Sequence, residues 1–343
     1  MLRLYKPIQH DIFKLQTMLE HLVCKVWCDA DDNSCESKLD PNFKPIYKAY
    51  KGKKSIDDIY EECKKLNVTQ KQKIKEAFEI NNRIEELCDG RLMPVYLKDL
   101  PEVVDKKIKP LLVDFYEDLL EQSRVPGTKL DYYSKLIQTN GYKNCPCCGL
   151  SVFEPPKDED IQKGFREDFD HYLPKSIFPF ASVNFQNLVP LCTKCNRDRK
   201  KDKNPIENNC IAFYPFSSEV EHNIDIEIIL APNIKFKDIK REDIVIYFKG
   251  DNPKINTWNR LFDIEDRYNR TIRTDDFIKT FLNDIRVRFK RINHKNKNWT
   301  YINMLDAEIE IFEENNKYVD ERFLKIPLMK ALKTCTHVLE VYG

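Results

Sequence analysis

A chain of 343 residues is long enough for two or three domains and for a hydrophobic core of ordinary size. Its 57 lysines and arginines against 56 aspartates and glutamates give a formal net charge of +1, which excludes a polycation that binds nucleic acid by bulk attraction. The 8 glycines exclude long Gly-rich linkers, and no apolar run approaches the roughly 18–20 residues of a membrane helix.

The N-terminal residues lack the apolar run and small-residue cleavage site of a signal peptide, so we expect a soluble cytoplasmic protein with no membrane partner. In such a protein the 12 cysteines are expected to stay reduced or to bind metal. Five of them fall between residues 145 and 195, which makes this segment the first candidate for a functional site.

Helical periodicity dominates the first third of the chain. Apolar residues recur at spacings of three and four from about residue 12 to 23, and similar stripes follow around 56–66, 74–87 and 108–120. We therefore predict a helical N-terminal domain over residues 1–130.

The pattern changes between residues 131 and 206. Cysteine, proline, glycine and isolated aromatic residues replace the long stripes, which is typical of a small domain held together by metal. We predict a separate central domain over this range.

The remaining residues, 207–343, predict an α+β C-terminal domain. Residues 223–230 and 243–248 alternate or are rich in β-branched side chains, which indicates two strands. Helical stripes follow at about 258–292, 300–315 and 326–341. The whole chain is thus predicted to be α+β and mostly helical.

Two cysteine pairs in the central domain have the same spacing: Cys145 with Cys148, and Cys192 with Cys195. Two thiolates three residues apart at a tight turn can bind one ion from the same side. Two such pairs complete the closed tetrahedral site typical of structural zinc. Cys147 is the poorer ligand, because adjacent Cys147 and Cys148 would point apart. We predict a structural zinc site of these four cysteines.

Several further motifs accompany the two pairs in a fixed order. They are C-x-x-C-G at 145–149, D-H-x-x-P-x-S at 170–176, N-L-V-P-L-C at 187–192 and C-x-x-C-N at 192–196. Over about residues 141–204 the sequence closely resembles the HNH endonucleases (His-Me finger, ββα-metal fold), in the group that carries a four-cysteine zinc site.

The resemblance implies a central ββα-metal finger. Its first strand would contain Asp170 and His171, its second strand would cover about 188–191, and its helix would start near Cys195–Asn196 and run through Lys200. Neighbours in a regular strand point to opposite faces, so we expect the first strand to end or bend where Asp170 and His171 meet the site.

The resemblance also implies catalytic roles for four residues. His171 would be the general base that activates water, a role that suits an imidazole near neutral pH. Asp170 and Asn196 would hold a catalytic Mg²⁺ or Mn²⁺ through oxygen atoms. Asn187 would brace the loop that aims His171. Asn196 stands where many relatives have histidine, a departure that bears on metal preference rather than on activity.

Six basic residues and two acidic residues lie between positions 194 and 203. Because this segment follows the proposed metal site, we predict that its basic residues bind phosphates near the scissile bond. The alternative is a solvated helix face. The candidates are Lys194, Arg197, Arg199, Lys200, Lys201 and Lys203.

The predicted activity is hydrolysis of phosphodiester bonds in DNA by a metal-dependent HNH endonuclease. The resemblance extends to nuclease components of bacterial restriction or anti-phage systems, such as Septu-like systems, which implies an effector role with an ATPase partner. One finger cuts one strand, so a double-strand break would need a homodimer or sequential nicking. The alternatives are a non-catalytic zinc-dependent adaptor that binds nucleic acid or protein, and an RNA nuclease with the same finger.

Overall fold

The structure, a computed structural model, describes residues 1–153, 168–217, 224–231, 240–250, 252–274, 276–295 and 299–335. It is α+β and mostly helical, with two small sheets in the described residues, as the sequence predicts. The chain divides into two compact units. The first consists mainly of Arg3–Cys147 and Phe153–Glu221, and the second of His222–Gly343 with Cys148–Val152. The predicted boundaries at residues 130 and 206 are not tested by this division and stay predictions.

Helices form most of the first unit, and all of the predicted N-terminal stripes are helical. They are α1 (Phe13–His21), α2 (Cys35–Lys38), α3 (Lys44–Ala49), α4 (Lys53–Lys64), α5 (Val68–Asn81), α6 (Ile84–Cys88), α7 (Lys109–Glu117) and α8 (Lys129–Asn140).

The helix α1 illustrates how the apolar stripe becomes core. Leu15 and Leu19, one turn apart, are buried, and the helix continues as a π-helical segment, Leu22–Trp27. Trp27 is fully buried and donates its indole N–H to the carbonyl of Ile56 at 3.2 Å. The indole therefore packs in the core with its one polar group satisfied.

The helix α8 carries the residues that support the candidate site, and both of its ends are capped. The Thr128 hydroxyl accepts a hydrogen bond from the backbone N–H of Asp131 at 3.0 Å. Gly141 ends the helix in the left-handed conformation, with φ of 60°, which favours glycine. Tyr132 on this helix is buried, with its ring 4.9 Å from that of Phe185 and 6.0 Å from that of Phe169.

Two three-residue strands form the sheet of the first unit. β1 (Phe169–His171) pairs antiparallel with β2 (Leu188–Pro190), with Asp170 opposite Val189 and His171 opposite Leu188. A π-helical segment, Lys194–Lys200, follows β2 directly. The order strand, strand, helix and the positions of all three elements agree with the expectation for residues 169–200.

The second unit contains β3 (Ile226–Leu230), β4 (Ile244–Phe248), α9 (Pro253–Phe262), α10 (Ile264–Ile272), α11 (Phe281–Lys295), α12 (Tyr301–Glu314) and α13 (Arg322–Lys333). β3 and β4 form an antiparallel pair, and both pack against helices of this unit, β3 against α13 and β4 against α10. Among the described residues, no helix combines the length and the apolar character needed to cross a membrane.

Two predictions for this unit need correction or remain partly open. The helix predicted over 258–292 is broken, because Asp263 adopts the left-handed conformation, with φ of 51°, and separates α9 from α10. The last helix is confirmed over Arg322–Lys333, while its predicted end at 336–341 lies outside the described residues, as does residue 223 of the first strand.

Candidate metal centre and active site

The four predicted cysteine ligands lie together. The Sγ atoms of Cys145, Cys148, Cys192 and Cys195 are all within 4.8 Å of one another, and all four residues are buried. Four thiolates at about 2.3 Å from one ion would be separated by less than this. The cluster could therefore bind a metal ion such as zinc, and Cys147 lies outside it, as the spacing predicts.

The backbone reversal after the first cysteine pair is built on glycine. Gly149 has φ of 70°, a conformation that L side chains rarely adopt. A Cβ atom added there would also lie 2.6 Å from Cδ2 of Leu2. The position thus tolerates only glycine without rearrangement.

β1 ends at His171, as expected for neighbouring residues of one site. The Asp170 carboxylate is buried, and the His171 ring approaches the loop before β2. His171 Nε2 lies 2.9 Å from the carbonyl oxygen of Ser182. A carbonyl only accepts hydrogen bonds, so Nε2 carries the proton and donates it, and in the neutral ring Nδ1 keeps a free lone pair.

The surroundings of His171 keep this ring neutral. Burial lowers the pKa of His171 to about 3, and the ammonium groups of Lys175 and Lys200 lower it further against the effect of the Ser182 bond. The ring of Tyr116 lies 4.4 Å from the His171 ring at an angle of 66°. The tautomer directs the Nδ1 lone pair away from Ser182, as a general base requires, whereas the lowered pKa makes this imidazole a weaker base than an ordinary histidine.

Asn187 holds the loop between the two strands. Its Oδ1 accepts from the backbone N–H of Leu173 at 2.7 Å, and its Nδ2 donates to the carbonyls of Leu173 at 3.0 Å and Ala181 at 3.1 Å. The side chain is fully buried. It therefore braces the loop that contains Ser182, the acceptor of the His171 bond; that this aims His171 for catalysis stays a prediction.

Asp170 forms a buried ion pair that the sequence did not indicate. The ammonium of Lys200 lies 3.1 Å from both carboxylate oxygens of Asp170, and the two side chains are 0% and 3% exposed. Lys200 donates hydrogen bonds to Oδ1 and, at 2.8 Å, to the carbonyl of His171, whereas Oδ2 has no hydrogen bond among the described residues. Burial raises the pKa of Asp170, and Lys200 opposes that effect.

Lys200 is thus buried, unlike a residue on a solvated helix face, and its predicted contact with phosphate stays a prediction. Its side chain turns inward because the end of the π-helical segment packs against β1, where Asp170 needs a counter-charge. The other candidates remain at or near the surface. Lys194, Arg197, Lys201 and Lys203 are exposed and Arg199 is half-buried, while Arg197 also pairs with Asp168.

Asn196, the third proposed oxygen donor, is half-buried on the first turn of Lys194–Lys200. Its backbone N–H bonds to the carbonyl of Cys192 at 2.9 Å, which ties it directly to the second cysteine pair. The segment thus links the cysteine cluster at its start to the Asp170–His171 strand at its end.

Sequence analysis missed four residues around His171. Ser182 fixes the tautomer, and Tyr116 contacts the ring while Lys129 and Lys175 lie over the Tyr116 ring at 4.9 and 5.4 Å. None occupies a defined position of a motif, since Lys175 stands at a variable position of 170–176, and the other three lie further from His171 in sequence. The only available signal was the basic character of positions 129 and 175.

The comparisons with known proteins add one partial similarity. No family model matches the sequence, and no solved structure matches it. A stretch of 114 residues is 32% identical to "Protein ea31" of Escherichia phage lambda. It is 33% of this chain and 33% of that protein, so the chain covers about a third of its relative's length.

We expect His171 to stay neutral, with its proton on Nε2, well below pH 6. Since the pKa is about 3 in the folded protein and about 6.5 in the unfolded chain, the unfolded chain binds more protons between these values. The contribution of His171 to stability is therefore complete above about pH 6.5 and is lost as the pH falls towards 3. Long-range ¹H–¹⁵N NMR at pH 5 should show a lone-pair Nδ1 and a protonated Nε2.

The matching control is the His171→Gln variant. Its spectrum lacks the signals of His171 and so assigns them among those of the 6 histidines. An imidazole that titrates near pH 6.5, or a proton on Nδ1, would contradict the assignment.

Lys200→Met should lower the free energy of unfolding by about 3–5 kcal/mol, because it leaves the buried Asp170 without its counter-charge. Lys201→Met, one residue further and exposed, should change it by less than about 0.5 kcal/mol. Urea denaturation measures both. The double variant Asp170→Asn/Lys200→Met should recover part of the loss, since no buried charge is left. Equal effects of the two single substitutions would refute the pair's role.

Proposed function

We propose that the protein is a metal-dependent endonuclease of the HNH type that hydrolyses phosphodiester bonds in DNA. The observation that carries the proposal is the Nε2–H bond of His171 to the Ser182 carbonyl, which leaves Nδ1 as the atom that can accept a proton, in the residue that follows the buried Asp170. The motifs around residues 145–200 and the strand, strand, helix order support the same function.

In the proposed reaction, Nδ1 of His171 takes a proton from a water molecule as the water oxygen attacks phosphorus. The bond between phosphorus and the 3′ oxygen breaks and the 3′ oxygen takes up a proton from solvent, which leaves a 5′-phosphate and a 3′-hydroxyl. The Ser182 carbonyl stabilises the imidazolium that forms, because it keeps the Nε2–H bond throughout. Asn187 preserves the position of that carbonyl through its bond to Ala181.

Asp170 and Asn196 would hold the catalytic Mg²⁺ or Mn²⁺. The chemistry of the residues fits such an ion, since both side chains offer hard oxygen atoms and Oδ2 of Asp170, although close to the Lys200 ammonium, has no hydrogen bond among the described residues. When bound, the ion would supply a positive charge that stabilises the transition state and the leaving oxygen. The ammonium of Lys200 lies 3.1 Å from both oxygens of Asp170, so the ion would share this carboxylate with Lys200.

The four-cysteine cluster would hold a structural zinc ion. Four protein ligands leave no open coordination position, so zinc in this cluster would take no part in the reaction. Its proposed role is to hold the start of the Lys194–Lys200 segment against the loop of the first cysteine pair. The exposed Lys194, Lys201 and Lys203 would contact the phosphates of DNA.

At the level of the cell, we assign the nuclease to the cytoplasm, as the effector of a bacterial restriction or anti-phage system with an ATPase partner. This assignment rests on the resemblance of the motifs to such nucleases, and co-purification with the product of a neighbouring ATPase gene tests it. A homodimer, or two successive nicks, would cut both strands. The remaining candidates are an RNA nuclease and a non-catalytic adaptor.

Plasmid cleavage tests the nuclease. The purified protein in Mg²⁺ or Mn²⁺ should nick or linearise plasmid, and His171→Ala should reduce the rate by about 10²–10⁴-fold because it removes the base. His294→Ala, an exposed histidine outside the site, is the matched control and should cut at the normal rate. Zinc content is measured for all three proteins.

If the protein cuts RNA and does not cut plasmid DNA, the RNA-nuclease alternative is correct. If neither is cut by zinc-loaded protein with or without its ATPase partner, the adaptor is correct and the nuclease is wrong.

The zinc proposal has its own test. The protein should contain one zinc ion per chain. Cys192→Ser should lose this ion and unfold at a lower temperature, because the free energy of binding a structural ion adds to the free energy of folding. Cys147→Ala, a buried cysteine outside the cluster, should retain the ion. Retention of one equivalent by Cys192→Ser, measured by plasma mass spectrometry, would rule out the four-ligand site.

A further inference from the structure

The helix α11 of the second unit is strongly basic in a chain that is nearly neutral. It contains five lysines and arginines against one aspartate, Asp284, whereas the whole chain has a formal net charge of +1. The proposed function does not use these residues. A near-neutral protein attracts a polyanion through a local excess of this kind, because its bulk charge supplies no attraction.

Three of the basic side chains share the outer side of the helix. The inner side is apolar and buried, and it carries Leu282, Ile285 and Phe289. Arg286, Lys290 and Arg291 are all exposed. Arg286 and Lys290 lie one turn apart and Arg291 follows directly, so a helix of 3.6 residues per turn places the three within an arc of about 140°. We call these three residues the basic face.

The charge of the basic face is not compensated within the described residues. Arg286 donates a hydrogen bond to Oδ1 of Asn283 at 2.9 Å, which is uncharged, and none of the three cations has a carboxylate partner there. By contrast, Arg288 on the same helix pairs with Glu308 of α12 at 2.8 Å. Other cations of the second unit also pair with carboxylates: Lys249 with Glu227, Arg270 with Asp266, Lys330 with Glu313 and Lys333 with Asp306.

The chemistry of the basic face indicates which polyanion it fits. A helix that binds a membrane surface inserts its apolar side among the lipids, and the apolar side of α11 is buried in the protein. Guanidinium and ammonium groups are common ligands of phosphate oxygens. The four residues from Arg286 to Lys290 rise about 6 Å along the helix, close to the roughly 6.8 Å that separates every second phosphate along one strand of a duplex.

We propose that the basic face binds the sugar–phosphate backbone of a nucleic acid duplex without reading its sequence. The inference deepens the proposed nuclease and rests on it for the choice of DNA as the duplex. It adds a contact with the substrate outside the motifs of residues 141–204. Contacts with phosphate position a protein on a duplex and carry no sequence information of their own. An RNA duplex presents the same phosphates, so the measurement includes both.

The test is binding of the full zinc-loaded chain to fluorescent duplexes, without added divalent ions and over a series of salt concentrations. The triple variant Arg286→Gln/Lys290→Gln/Arg291→Gln should bind duplex DNA about 10- to 100-fold more weakly at low salt. The slope of the logarithm of the binding constant against the logarithm of salt should become shallower by about 2–3, since each lost phosphate contact removes about 0.9. Duplexes of unrelated sequence should give the same result.

The matched control removes the same number of positive charges elsewhere. Lys25, Lys54 and Lys73 are exposed and spread over the first unit. The variant Lys25→Gln/Lys54→Gln/Lys73→Gln should keep the affinity and the salt slope of the parent. All substituted positions of both variants are exposed, so both proteins should unfold at the same urea concentration as the parent.

An equal loss of affinity in both triple variants, or an unchanged salt slope in the variant of the basic face, would overturn the proposal. Polyglutamate is the remaining probe. If it binds more tightly than either duplex and the variant of the basic face loses this binding, the partner is an acidic protein and the proposal is wrong. Tighter binding of duplex RNA than of duplex DNA would support the proposal with RNA as the duplex.

Failure of this inference can be told apart from failure of the nuclease. If the variant of the basic face loses duplex binding while the parent cuts neither DNA nor RNA, the basic face is confirmed and the nuclease is wrong. If the parent cuts plasmid and the variant of the basic face binds and cuts as the parent does, the nuclease is confirmed and the basic face is wrong.

Discussion

Two strands of three residues cannot hold their own register, because an isolated short hairpin is marginally stable in water. A shift by one residue would move Asp170 to the opposite face of the sheet and take it away from Lys200. The register is held by side chains outside the strands. Asn187 bonds to the loop at Leu173 and Ala181, and the hydroxyl of Tyr5 donates to the carbonyl of Pro190 at 3.0 Å. Every distance in the candidate site depends on these bonds.

The lysines around the site fall into two groups, one that compensates the charge of Asp170 and one that affects His171. Lys200 is inside, where it compensates the charge of Asp170, and its withdrawal would leave a buried carboxylate unpaired. Lys129 and Lys175 lie over the Tyr116 ring, and their positive charge disfavours protonation of His171. The same positive charge would attract a phosphodiester. The positive charge would therefore favour the binding of an anion while it opposes protonation of His171, and a bound phosphodiester would offset this opposition.

Local patterns in the sequence predicted what short segments determine. The spacing of Cys145, Cys148, Cys192 and Cys195 predicted the cluster, and the β2 strand and the helical segment after it were placed within one or two residues. Contacts between distant segments were not predictable. The inward turn of Lys200 depends on the pitch of the segment that carries it, and the role of Ser182 depends on the loop that Asn187 folds.

The pitch of Lys194–Lys200 has a consequence for how this segment tolerates changes in length. The backbone N–H of Lys201 bonds to the carbonyl of Asn196, five residues earlier at 2.9 Å, and Lys201 ends the segment with φ of 51°. An α-helix makes the same turn with one residue fewer. Deletion of the exposed Asp198 would therefore let an α-helical turn join the cysteine cluster to Lys200 without displacing either end. A chain that lacks one residue here could therefore keep both the cysteine cluster and the Asp170–Lys200 pair. A sequence alignment of this segment should accordingly place a one-residue gap inside the turn.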